Sequence, residues 1–242
     1  MNDSIQTIPL THLAIAFIPV AIVLLLLYRW ALKPGKALYA ILRMLTQLLL
    51  IGYVLAYIFD AKHPAIVLGV LMVMIAASSW IALGSVKEQR TKLYAKVLLC
   101  TAIGGGTSLL FITQGVLRLD PWFHPQFMIP LAGMIFANPM NSISLAAERL
   151  YAEVERDVPY LEARKIAFQA ALIPTINTLF AVGIVSIPGM MTGQILSGVS
   201  PLIAVRYQIM VMCMVFGSSG ISAACFLMMV RSNLPKPSSV PS

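Results

Sequence analysis

Arg206, Tyr207 and Gln208 stand within the first turns of an apolar run that opens at Pro201. Just upstream, Pro188-Gly189, Thr192-Gly193-Gln194, Gly198 and Ser200-Pro201 break the segment Ser186–Met210 with turn-forming and polar residues. Other polar groups interrupt apolar sequence in the same way. Asn138, Asn141 and Ser144 surround Pro139, Asn177 follows Pro174, and Arg43 shares one helical face with Gln47 at i, i+4. In hydrocarbon an unpaired polar group costs on the order of several kcal/mol. Such side chains therefore bond between helices, for about 1 kcal/mol or less, or line the route of a polar solute. Clustered with prolines, the set Gln47, Asn138, Asn141, Asn177, Gln194, Arg206 and Gln208 reads as a transport pathway.

The residue patterns of catalysis are missing. His12, His63 and His124 lie far apart with no HExxH or His/Cys ligand spacing, so no resident metal site is expected. No nucleophile elbow occurs, and the acids fall at the ends of apolar runs or in loops, so no catalytic residue is assigned. A carrier coupled to protons or sodium needs an ionisable relay inside the bundle, and none is present. Gly104-Gly105-Gly106-Thr107-Ser108 lacks the lysine and spacing of a phosphate loop, and reads as close helix packing through small residues. Met128, Met134, Met140, Met190, Met191, Met210, Met212 and Met214 offer thioethers, which suit Cu(I). Adaptable core filling is the preferred reading for them. Cys100, Cys213 and Cys225, odd in number and in apolar surroundings, read as small hydrophobes.

The elements that must position these groups are membrane helices. The chain is 59% hydrophobic and only 11% charged, with a mean hydropathy of +0.87, too few charges to cover a soluble core. Crossing a bilayer takes roughly 20 apolar residues. Runs at Leu10–Leu27, Leu38–Phe59, Ala65–Leu83, Val97–Gly115, Phe127–Ala146, Ala170–Ile187 and Leu202–Val230 predict seven helices in an all-α, polytopic fold. The last run is long enough to require tilting, or a bend near Gly217-Ser218-Ser219-Gly220.

The odd-to-even connections and the C-terminal end hold 14 of the 17 basic residues, among them Lys87, Arg90, Lys92, Lys96, Arg149, Arg156, Arg164 and Lys165. By the positive-inside rule this puts the N-terminus outside and the C-terminus in the cytoplasm. It also explains the net charge of +8 without a nucleic-acid partner. Residues 1–231 read as one transmembrane domain and 232–242 as a disordered tail. Within that domain the segment Ala147–Gln169 predicts two short amphipathic helices on the cytoplasmic face, either a connector on the headgroups or a dock for a soluble protein.

Four blocks, RMLTQLLLIGYVLAYIF (Arg43–Phe59), PLAGMIFANPMNSISLAAERL (Pro130–Leu150), AALIPTINT (Ala170–Thr178) and VGIVSIPGMMTGQILSGVSPLIAVRYQIMV (Val182–Val211), resemble the FetB-type permeases. These are membrane subunits of bacterial ABC transporters implicated in iron export, with plant relatives linked to aluminium tolerance. The resemblance implies a multi-pass permease of the inner (plasma) membrane that exports iron or another metal ion or complex. It implies a homodimer served by a separate ATP-binding subunit, which would hold the ATP and magnesium; this chain would need no cofactor. It favours docking for the 147–169 loop, with Glu148, Arg149, Glu155, Glu162 and Arg164 as coupling residues. Here the chain departs from the family, carrying the shorter DVPYLEARKIAF. Pro188, Gly189, Met190, Met191, Gly193, Gly198 and Pro201 become an external gate. An ion-coupled carrier and a non-transporting scaffold or sensor are the alternatives.

Overall fold

The structure, a computed structural model, describes residues 9–32, 34–59 and 63–233, and every extended regular element among them is helical. The expected tail beyond Asn233 lies outside the described residues, as do Lys33, Asp60 and Lys62. The chain divides into two compact units, 1–60 and 61–242.

The first unit holds α1 (Leu10–Ile15), α2 (Phe17–Arg29) and α3 (Gly35–Phe59). The predicted first span is divided at Ala16. Pro19 has no N–H to offer the carbonyl of Ile15, so the helical ladder loses a rung there. The stretch Thr11–Arg29 has a mean hydropathy of 2.3, yet its residues are not buried inside the protein. An apolar surface of that extent calls for lipid.

The second unit holds α4 (Pro64–Ala82), α5 (Arg90–Leu110) with a π-helical extension Phe111–Val116, α6 (Pro125–Val154), α7 (Tyr160–Ala181), the short α8 (Gly189–Leu196) and α9 (Pro201–Met229). Helix α6 is central and packs against α4, α5, α7 and α9, while α5 also packs along α9. Two cores lie at opposite ends of this bundle. One joins the end of α4, the start of α5, the end of α6, the start of α7 and the end of α9, and it is built on Ala82, Ala146, Ala147, Ala163, Ala167, Ala171 and Ala223. The other joins the opposite halves of α4, α5, α6 and α9. It contains Met128, Met210 and Met214, with Met74, Met134, Met190 and Met212 packed against it.

Two glycines of α5, Gly104 and Gly105, serve close packing. A side chain at Gly104 would run into the Ser222 hydroxyl and backbone of α9, and one at Gly105 into the Phe136 ring of α6 at 2.7 Å.

Five described stretches are long and apolar enough to cross a membrane: Thr11–Arg29, Gly35–Phe59, Pro64–Ala82, Lys87–Val116 and Pro201–Ser232. The protein is polytopic. The predicted fifth and sixth spans fall on α6 and α7, which are 30 and 22 residues long but are not among those five. Asn138, Asn141, Ser142, Ser144 and two internal prolines dilute the apolar run of α6. Helix α7 begins ten residues before the predicted Ala170 and stops at Ala181, so Val182–Ile187 is not helical.

The two predicted surface helices of Ala147–Gln169 are instead the end of α6 and the start of α7, joined by a turn at Glu155–Pro159. Asp157 takes a left-handed conformation, φ 60°, and Pro159 caps α7. Helix α9 runs unbroken through Gly217-Ser218-Ser219-Gly220.

Candidate functional site

The chain reverses twice between α7 and α9. After Ala181, Val182 turns extended and pairs with Ser186, with the Gly183 N–H donating to the Ser186 carbonyl at 2.9 Å. Past α8, Gly198 makes the second reversal. Gly183 and Gly198 have φ of +83° and +88°, a region that a side chain would strain. Pro201 then starts α9, its missing N–H being no loss in a first turn.

These reversals leave a cleft of about 520 Å³ between the end of α7, the 182–188 turn, α8 and α9. Its walls are almost wholly carbon and sulfur, with Leu179, Ile187, Ile209 and Phe216 beside Met191 and Met212. Gln208 is the one amide in the lining. It is only 5% exposed, and neither its Oε1 nor its Nε2 has a hydrogen-bond partner among the described residues. A buried polar atom left unpaired costs about 1–3 kcal/mol, so this amide carries hydrogen-bonding capacity that no described residue uses. A bare hydrated cation would lose its water against carbon here. The cleft suits a guest with an apolar coat and one hydrogen-bonding point.

The other predicted pathway residues take varied places. Asn138 Nδ2 donates to the Met134 carbonyl of its own helix at 2.8 Å. Asn141 and Asn177 are exposed. Gln194 on α8 is half-buried, with its Oε1 unpartnered among the described residues. Arg206 is exposed near the start of α9 and makes no ion pair among the described residues. Gln47 belongs to the first unit and is exposed on α3. Of the predicted gate, Pro188 and Met191 line the cleft, and Met190 packs against the methionine-rich core. Gly189, Gly193, Gly198 and Pro201 are exposed around it.

At the alanine-rich end the bundle gathers nine of the eleven basic residues described in this unit, leaving Arg118 and Arg206 toward the other. Arg90 lies over the Trp80 ring at 3.8 Å and donates to the Trp80 carbonyl. Tyr160 opens α7 and donates to the Leu227 carbonyl, tying α7 to the end of α9. Burial pushes the Tyr160 phenol above its ordinary pKa, against the opposing pull of Arg164 and Arg231. The predicted coupling residues Glu148, Arg149, Glu155 and Glu162 are exposed here, and Arg164 is half-buried.

Glu153 was not anticipated. It is 5% exposed, its carboxylate held by Arg149 at 2.7 Å and near Arg156 at 3.7 Å. The i, i+4 spacing of Arg149 and Glu153 was its only signal.

Comparison with known proteins adds a second line. A family model described as "Uncharacterised protein family (UPF0014)" matches residues 10–234. A UPF0014 membrane protein of Synechocystis sp. is 34% identical over 203 residues, 78% of each chain. The "Probable iron export permease protein FetB" of Escherichia coli is 30% identical over 238 residues, covering 89% of this chain and 88% of the relative. "UPF0014 membrane protein STAR2" of Oryza sativa is 32% identical over 225 residues, covering 87% and 77%. No solved structure matches.

Proposed function

This chain belongs to the UPF0014 family, and from that premise we propose that it is the membrane permease of an ATP-driven exporter. Its ATPase is a separate subunit, and its cargo is a metal complex or metal ion. Two copies of the chain form the pathway in the inner (plasma) membrane, with the N-terminus outside and the C-terminus in the cytoplasm. The observation that carries this reading is the buried amide of Gln208, without a hydrogen-bond partner among the described residues, on a residue that lines an apolar cleft. The similarity to a protein named as a probable iron export permease supports the direction and the class of cargo. The carbon-lined cleft favours a metal clothed in organic ligands over a bare ion.

The base-rich end supports a cytoplasmic placement for the α4–α5 and α6–α7 turns and for the end of α9. Ser197 and Glu155 are both exposed, at opposite ends of the bundle. Membrane-impermeant maleimide should label S197C in intact cells and E155C only after permeabilisation. The reverse pattern would overturn the orientation.

Glu148 and Glu162 are exposed on either side of the α6–α7 turn, and in this proposal they contact the ATPase. Reversing both charges, as E148K/E162K, should weaken co-purification of the ATPase by roughly tenfold or more with membrane insertion unchanged. Unchanged association would remove these acids from the interface.

The function itself is tested by reconstituting the co-expressed pair in proteoliposomes and measuring ATP hydrolysis and efflux across several metals and chelates. Cargo-stimulated hydrolysis is expected. Flux driven by an ion gradient with no nucleotide would make the protein a secondary carrier, and an ATPase-binding protein that moves nothing would be a scaffold.

A further inference from the structure

Three sulfurs meet between α5 and α9 at the alanine-rich end. Cys100 Sγ lies 3.5 Å from Met229 Sδ, and Cys225 Sγ lies 3.9 Å from the same atom. Met229 thus stands between the two thiols, in contact with each. Cys100 is fully buried, while Cys225 and Met229 are half-buried, which leaves an approach from one side. Neither cysteine is in a disulfide. The trio is separate from the Gln208 cleft, since Cys225 stands 17 residues further along α9, about 25 Å away.

We propose that Cys100, Cys225 and Met229 form a binding site for a soft monovalent cation, copper(I). Sulfur ligands sit about 2.3 Å from such a metal, so three of them in a trigonal plane stand roughly 4 Å from one another. The two observed separations, 3.5 and 3.9 Å, are close to two edges of that triangle before any ion enters. Thiolate and thioether donors select Cu(I), whereas zinc wants a fourth ligand. Among the described residues no third His, Cys, Asp or Glu joins the two cysteines to supply one.

On binding, each thiol releases its proton to solvent and its thiolate bonds the ion, while the thioether donates a lone pair. No electron is transferred. Two thiolates and one Cu(I) leave a net charge of −1, and the Lys96 ammonium is at hand to balance it. Its Nζ bonds the Met229 carbonyl at 2.8 Å, and its charge reaches Cys100. The site stands on this geometry alone and does not depend on what the cleft transports.

The test uses the purified full-length chain in detergent, reduced and oxygen-free, titrated with the copper(I)–bicinchoninate complex. One equivalent of copper should leave the chromophore per chain, and bound copper should protect Cys225 from maleimide. Met229→Leu keeps the volume of the side chain and should weaken copper retention at least tenfold. Cys225→Ala should abolish the stoichiometric uptake, and Cys213→Ala, at the exposed third cysteine, should leave it unchanged. All variants are compared at equal elution volume in gel filtration. The proposal fails if the unmodified protein withdraws no copper, if the C100A/C225A variant retains it, or if uptake is lost only with C213A.

Discussion

Gly104→Ala should strip most of the folded protein from the membrane fraction and lower the thermal midpoint of what remains. An added methyl at this position meets the Ser222 hydroxyl, the Ser222 amide nitrogen at 2.7 Å and the Ser218 carbonyl at 3.1 Å. The hydroxyl can rotate away, but the two backbone atoms move only if α9 moves. Overpacking of this kind costs about 1–3 kcal/mol, enough to change the folded-to-unfolded ratio by roughly one to two orders of magnitude. Here it acts on the α5–α9 seam. Gly106→Ala is the matched control, because nothing lies within 4 Å of the added carbon. That variant should be neutral or gain the ~0.5–1 kcal/mol by which alanine exceeds glycine in a helix. Equal behaviour of the two, measured by fluorescence-detected gel filtration after a heat ramp, would mean that α5 and α9 are not in contact at Gly104.

Gln208→Leu should do the opposite to stability and more to function. Leucine fills nearly the same space and removes two buried polar atoms that lack partners among the described residues. The thermal midpoint should therefore rise, by the equivalent of about 1–3 kcal/mol. Export of cargo should fall at least tenfold, since the cleft would keep its carbon walls and lose its one amide. A stabilising substitution that silences activity is what a functional side chain held in an unfavourable setting produces. Full transport in the variant would take Gln208 off the pathway. A fall in the midpoint would mean that the amide has a structural partner, most directly in a second copy of the chain.

The sequence was informative where physics acts locally. The glycine run of α5 reads as close packing, which holds at Gly104 and Gly105, and the turn residues between α7 and α9 lie where the chain reverses. The four blocks that resembled the FetB-type permeases lie within the stretch matched by the family model. Helix ends were harder to read. A hydropathy window follows oiliness, so it slid the sixth helix toward Val182–Ile187, although the charged sequence from Tyr160 onward is helical.

Pairs distant in sequence were invisible. Cys100 and Met229 are 129 residues apart, and nothing in either neighbourhood announces the other. Gln208 did stand out as polar among apolar residues. That both ends of its amide lack partners depends on how α7, α8 and α9 pack.

The contrast between the two cores has a mechanical consequence. Where α6, α7 and α9 meet through alanine, the contacting methyl groups have no rotamers to change, so a shift of one helix is passed to the next with little local repacking. Around the methionines at the far end, unbranched thioethers can change rotamer and refill space as helices shift. The bundle is thus stiffer at its alanine-rich, base-rich end and more compliant around the methionines beside the cleft. Its two ends differ in elasticity as much as in charge.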